Sequence, residues 1–193
     1  MTTEIYNFDN ESGMNGICVL GDDKLYPLLD KLESVKHLEG DIVELGVYRG
    51  GVLKKMAEKC SDKMCYGFDT FEGLPEKDWI PSEIHPPGDF DKTAFEQTKS
   101  FMPENVILIP GYFPDTADNL DITKICFAHV DFDYEKGTKS AIDWLLPRMV
   151  PGGIIVFDDY LWYKCPGVEK AIKEAGLQIT QSATYQCYWI KND

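Results

Sequence analysis

The chain has 193 residues, enough to bury a substantial core without disulfide or metal staples. Its formal net charge of −14 repels phosphate backbones and anionic lipid surfaces, so neither nucleic acid nor a membrane is expected as a partner. The six cysteines lack CxxC or metal-type spacing, no apolar run is long enough to cross a bilayer, and Met1 to Glu11 carries no signal-like region; a soluble cytoplasmic protein is expected.

Residues 1–15 show no periodicity, and 1–21 read as an N-terminal arm of one domain spanning 1–193. Asp22 and Asp23 are placed to cap a helix with Leu25, Leu28, Leu29, Leu32, Val35 and Leu38 on one face. Pro27 falls near its first turn, where proline is tolerated, and Gly40 is expected to end it. Asp41 to Gly46 reads as a strand, followed by a glycine-bearing turn and a helix carrying Val52, Leu53, Met56, Ala57 and Cys60. A strand from Met64 to Phe68 ends at Asp69. Residues 70–90 hold Pro75, Pro81, Pro86 and Pro87 without regular pattern, as lids and substrate loops do. A helix with Ala94, Phe95, Thr98, Phe101 and Met102 precedes a strand, Val106 to Ile109, and a turn at Pro110-Gly111. Ile125 to Val130 and Ile154 to Phe157 are short apolar runs of the kind found in central parallel strands. Between them a helical pattern runs through Ala141, Ile142, Leu145, Leu146 and Met149. Val168, Ala171, Ile172 and Ala175 mark a last helix with Gly176 as its cap, and Gln178 to Ile190 reads as two strands joined near Ala183-Thr184. The alternation predicts an α/β fold with a doubly wound, mostly parallel sheet in three layers.

Ligands of open α/β sheets bind beyond the carboxyl ends of the strands. Asp131 and Asp133 follow one central strand and Asp158 and Asp159 follow the next, so these four carboxylates are expected to meet. Crowded carboxylates titrate upward unless a cation sits among them. Oxygen donors without Cys or His suit a hard ion, Mg²⁺ or Ca²⁺. Acidic helix caps are the plain alternative, which two pairs on adjacent strands outweigh.

Glu44-Leu45-Gly46-Val47-Tyr48-Arg49-Gly50-Gly51 joins the first strand to its helix, and Asp69 stands 23 residues beyond Gly46, in reach of a ribose diol. The GxxxGG spacing does not encode the tight pyrophosphate turn of a dinucleotide site. Glu44 would attract a sulfonium and an ammonium and gain nothing from a pyrophosphate. Both features favour S-adenosylmethionine over a nicotinamide cofactor.

Glu39 to Gly51 resembles the opening motif of the macrocin O-methyltransferase family. Phe68 to Pro75, Pro110 to Thr116, Asp131 to Glu135 and Asp158-Asp159-Tyr160 resemble its later motifs in order, across roughly residues 16–175. The resemblance implies a Rossmann-like class I methyltransferase fold and an S-adenosylmethionine- and Mg²⁺-dependent O-methyltransferase of sugar or aromatic hydroxyls in natural-product biosynthesis. It implies that Asp131, Asp158 and Asp159 hold the metal. It places Glu44, Leu45, Gly46, Val47, Tyr48, Arg49, Asp69, Thr70, Phe71, Gly111, Phe113 and Asp131 around the cofactor, and Asp133 as base. Some members use a histidine near the C-terminus as base; here none follows His129.

The expected reaction therefore deprotonates a hydroxyl, one of a vicinal pair, with Asp133 as base or as a group that orients ligands. Arg49 is open between a cofactor carboxylate and a surface acid. His85 is expected to be a solvated loop residue, with an alternative as base or substrate contact, while His129 is expected in the core and His37 on a helix surface. Trp79, Tyr160, Trp162 and Tyr163 flank the expected crevice, and Gly16 to Gly21 is expected to fold over the cofactor. Exposed aromatics in the arm and lid leave room for a homodimer. The competing readings are a nicotinamide-dependent oxidoreductase and a non-catalytic S-adenosylmethionine-binding relative.

Overall fold

The structure is a computed structural model and describes residues 20–118 and 120–192. Most of the expected arm therefore lies outside the described residues; Leu20 and Gly21 are its described end. Seven strands form one sheet: β1 (Asp41–Leu45), β2 (Cys65–Asp69), β3 (Val106–Pro110), β4 (Ile125–Val130), β5 (Met149–Phe157), β6 (Thr180–Ala183) and β7 (Gln186–Ile190). Their order is β3-β2-β1-β4-β5-β7-β6. The first five are parallel, and β7 runs antiparallel to both β5 and β6. Successive βα units leave β1 in opposite directions, so the switch point falls between β1 and β4.

Strand periodicity builds the two faces. Val43, Leu45, Ala128, Val130, Ile155 and Phe157 join one core with the apolar sides of α4 (Glu135–Leu145) and α5 (Pro166–Glu174). Ile42, Phe127, Ile154 and Val156 join the other with α1 (Asp22–Val35) and α2 (Gly51–Lys59), and with Phe95 of the short helix α3 (Phe95–Ser100). The expected three layers are observed.

Several boundaries differ from the sequence pattern. Asp22 and Asp23 do not cap α1: Gly21 is its N-cap and makes no side-chain bond, while the two acids lie in the first turn, where they favour the helix dipole. The helix ends at Val35, and Gly40 (φ +115°) turns the chain into β1. His37 is exposed but lies in that turn. Met149, assigned to a helical stripe, begins β5 and pairs with Ile125. Pro147 intervenes and has no N–H to continue the ladder of α4. Gly176 (φ +68°) follows α5 as expected, its N–H donating to the Lys173 carbonyl at 3.0 Å. The five described cysteines, Cys65 and Cys126 among them, are buried and unpaired.

Candidate active site

At the switch point the ends of β1 and β4 are pinned together. The Asp131 N–H donates to the Leu45 carbonyl at 2.7 Å. A Cβ at Gly46 (φ +91°) would lie 1.9 Å from the Asp131 carbonyl oxygen, so only glycine permits this approach. Beyond the strand ends opens a cavity of about 350 Å³. Non-glycine residues at positive φ cluster around it: Tyr48 (50°), Asp133 (59°) and Asp159 (58°). Such strain persists where the surroundings over-determine it, commonly at functional sites.

One half of the cavity is built on β1 and β2. Asp69 Oδ2 accepts the Val47 and Tyr48 N–H groups at 2.8 and 2.7 Å, and Oδ1 accepts the Phe71 N–H at 2.7 Å. The carboxylate thus shapes the β1 loop while still lining the cavity. Glu44 is fully buried, and its Oε1 lies 2.9 Å from Nδ1 of His129, its register partner on β4. Burial pushes the Glu44 carboxyl above its ordinary range, and the bond to His129 pulls back against that shift. Glu44 Oε2 has no hydrogen-bond partner among the described residues. His129 is a core residue, as expected, but one that pairs with an acid. The signal for this was a lone acid and a lone histidine, each inside an apolar strand; neither is found buried without a partner.

The other half holds the acidic cluster. Asp131, Asp158 and Asp159 each offer an oxygen within 4.8 Å of the others. Burial, then the neighbouring Asp158, Asp159 and Asp133, hold the Asp131 carboxyl well above the usual carboxylate range. Asp133 is raised by burial and then by Asp159, and Asp159 by burial and then by Asp158. Lys24 reaches in from α1, placing Nζ 2.9 Å from Asp158 Oδ2 and 3.5 Å from Asp159 Oδ1. Burial works against this ammonium, but Asp158, followed by Asp159 and Asp131, holds it above the ordinary lysine value. Gln186 of β7 points Nε2 at Asp158 Oδ1 from 3.5 Å. Nothing in the local sequence around Lys24 signals its role, because its partners are 134 and 135 residues away.

Of the residues expected around a cofactor, Glu44, Gly46, Val47, Tyr48, Asp69, Thr70, Gly111, Phe113 and Asp131 line the cavity, as does Asp133. Leu45, Arg49 and Phe71 do not. Leu45 points into the core, and Phe71 packs edge-on to Phe95 at 5.3 Å. Arg49 is buried: its Nε donates to the Lys92 carbonyl at 3.1 Å and its guanidinium covers the Tyr48 ring.

The 70–90 stretch contains one 3₁₀ turn, Glu76–Asp78, and is fastened to the rest. Tyr112 donates its hydroxyl to Asp78 Oδ1 at 2.8 Å, and Tyr134 donates to the His85 carbonyl at 2.9 Å. His85 is therefore not a solvated loop residue. Its ring lies among Phe90 and Trp162, with Nδ1 2.9 Å from Asp89 Oδ2. Of the four aromatics expected at the crevice, Trp162 lines it. Trp79 and Tyr163 are exposed, and Tyr160 packs against the core. Leu20 and Gly21 line the cavity too; the remainder of the expected 16–21 cover lies outside the described residues.

The donor chemistry fits a hard divalent cation: three converging carboxylates, with Asp131 and Asp159 raised by burial and by their neighbours, and one ammonium as partial counterion. No helix among the described residues is long and apolar enough to cross a membrane.

Residues 9–182 match the family model described as macrocin O-methyltransferase (TylF). The chain is 25% identical to a demethyldecarbamoylnovobiocin O-methyltransferase from Streptomyces niveus, covering 89% of this chain and 72% of that protein. It is 26% identical to a mycinamicin III 3''-O-methyltransferase from Micromonospora griseorubida, covering 81% and 68%. The fold is shared with the O-methyltransferase NovP, with a TM-score of 0.82, 22% identity and coverage of 97% and 87%. It is also shared with the calicheamicin methyltransferase CalS11, with a TM-score of 0.71, 20% identity and coverage of 88% and 79%. These matches set aside a nicotinamide-dependent oxidoreductase. The chain belongs to the macrocin O-methyltransferase family of S-adenosylmethionine-dependent enzymes.

Proposed function

We propose that the protein is a Mg²⁺-dependent O-methyltransferase that methylates one hydroxyl of a vicinal pair on a small sugar or aromatic acceptor. The observation that carries this reading is the convergence of Asp131, Asp158 and Asp159 in the same cavity as Glu44 and Asp69. The three aspartates would hold the cation. When bound, the cation supplies Lewis acidity to a hydroxyl oxygen and S-adenosylmethionine supplies the electrophilic methyl.

The protein's own groups divide the remaining work. Glu44 presents its unpartnered Oε2 for the ammonium of the cofactor, and Asp69 lines the ribose end. Asp133 sits at the cluster with its carboxyl held above the ordinary range by burial and by Asp159, which strengthens its carboxylate as a base for the hydroxyl proton. Trp162 gives the acceptor ring an apolar wall, and holding oxygen and methyl together supplies much of the acceleration. The 70–90 segment serves as the lid of a single domain spanning 1–193, with the arm as its cover. The same reading makes the enzyme cytoplasmic and compatible with a homodimer.

Calorimetric titration of S-adenosylhomocysteine, with Mg²⁺ and with EDTA, tests the proposal. Cofactor binding in both, together with Mg²⁺ heat that Asp158→Ala removes, is expected. Lys24 supports a second reading, in which its ammonium alone neutralises the cluster and turnover is metal-independent. Cofactor binding and turnover undiminished by EDTA would select that reading.

A further inference from the structure

Beside the aspartate trio lies a second group, of which the proposed methyl transfer uses Asp133 alone. His85, Asp133 and Cys165 each offer one donor atom, and these lie within 4.8 Å of one another. Cys165 is the N-cap residue of α5 and almost fully buried. Its Sγ lies 3.4 Å from Asp133 Oδ1 and 3.6 Å from Asp159 Oδ2. A thiol has one weakly donated proton, a poor match for two carboxylates. His85 is set up differently from a packed or solvated histidine. Nδ1 is occupied by Asp89, and Nε2 is buried with no partner among the described residues. An imidazole whose far nitrogen is held by a carboxylate is the usual arrangement behind a metal-ligating histidine.

We propose that His85 Nε2, Cys165 Sγ and an Asp133 oxygen form a second cation site, for a borderline transition metal such as Zn²⁺. The mixed N, S and O donor set selects this class, because Mg²⁺ takes oxygen ligands and gains little from sulfur. Charge favours it as well. When ionised, the four aspartates face one ammonium, so a single divalent ion in the trio leaves negative charge uncompensated. Cys165 would bind the ion as its thiolate, the proton leaving to solvent. An ion held here engages Asp133 and withdraws it from the acceptor. The site thus makes the enzyme sensitive to transition metals, whichever hydroxyl it methylates. Only that consequence rests on the proposed role of Asp133; the binding site does not.

The test is Zn²⁺ titration into the purified protein in saturating Mg²⁺, which fills the oxygen site, with Co²⁺ as a spectroscopic probe. One Zn²⁺ per chain and a thiolate-to-cobalt charge-transfer absorption are expected. Cys165→Ser and His85→Gln should each weaken Zn²⁺ at least tenfold and leave Mg²⁺ affinity in place. Asp89→Asn should weaken Zn²⁺ by about tenfold or more, as loss of an orienting partner does. Absence of the cobalt band in the wild-type protein overturns the site without recourse to any variant. Zn²⁺ binding that Asp158→Ala abolishes and Cys165→Ser leaves untouched also overturns it, because the ion then occupies the trio alone.

Discussion

Two groups of buried acids face the same cavity and are satisfied in different ways. Glu44 meets His129 one-to-one, across the register of β1 and β4, inside the rigid sheet. Asp131, Asp133, Asp158 and Asp159 stand on loops past the strand ends, with the Lys24 ammonium as the one cation against them among the described residues. The first arrangement pairs one carboxylate oxygen within the protein and leaves the other, Oε2, for a ligand's charge. The second is incomplete, and under the proposed function its mutual repulsion would be relieved by a cation from outside. Under the proposed function the protein thus carries a permanent partner where the ligand is a whole molecule, and leaves charge unmatched where the ligand is an ion.

Exchange of Asp133 for Asn tests the unmatched side most severely. Turnover should fall by about 10²–10⁴-fold, the usual worth of a general base, while the affinity for S-adenosylhomocysteine stays within a factor of about two. Calorimetry beside initial rates decides it, and unchanged turnover removes Asp133 as base. On the matched side, His129→Leu leaves Glu44 buried without its partner and should cost about 3 kcal/mol in urea unfolding. A loss near zero would show that the pair is dispensable. Gly46→Ala attacks the hinge between the two groups. The added methyl meets the Asp131 carbonyl, and a loss of more than about 1 kcal/mol is expected by thermal unfolding, since φ there is also positive.

The smallest effect is one of pH. The folded-state pKa of Glu44 is raised by burial, so its contribution to stability is fully present below the ordinary glutamate value and lost as pH rises through the raised one. Denaturant midpoints from about pH 4 to neutrality should therefore decline less steeply in Glu44→Gln than in the wild-type protein. Parallel curves would mean that His129 fully offsets the burial.

Much of this architecture was legible in the sequence. The alternation of apolar runs gave every strand, and the strand-end rule brought Asp131, Asp133, Asp158 and Asp159 together. What was not legible depends on tertiary placement. The position of Lys24 follows from how α1 packs on the sheet, and no local pattern encodes that. His85 is fixed by Tyr134, Asp89 and two aromatic rings, all brought by loop folding. Arg49 stayed open between a cofactor carboxylate and a surface acid because the Lys92 carbonyl and the Tyr48 ring that receive its charge come from tertiary placement. Met149 kept a helical spacing past Pro147, where the ladder could not continue.

The reversed strand β7 lies between β5 and β6, so β6 reaches the sheet only through a strand made after it. During synthesis the edge of β5 consequently stays open until residues 186–190 have left the ribosome. That edge carries Asp158 at its end, and Gln186 is the partner that arrives with β7. Elements β1 and β2 can fold early on the ribosome; the aspartate cluster is finished after them, and the nascent chain exposes an unpaired, apolar strand edge until then.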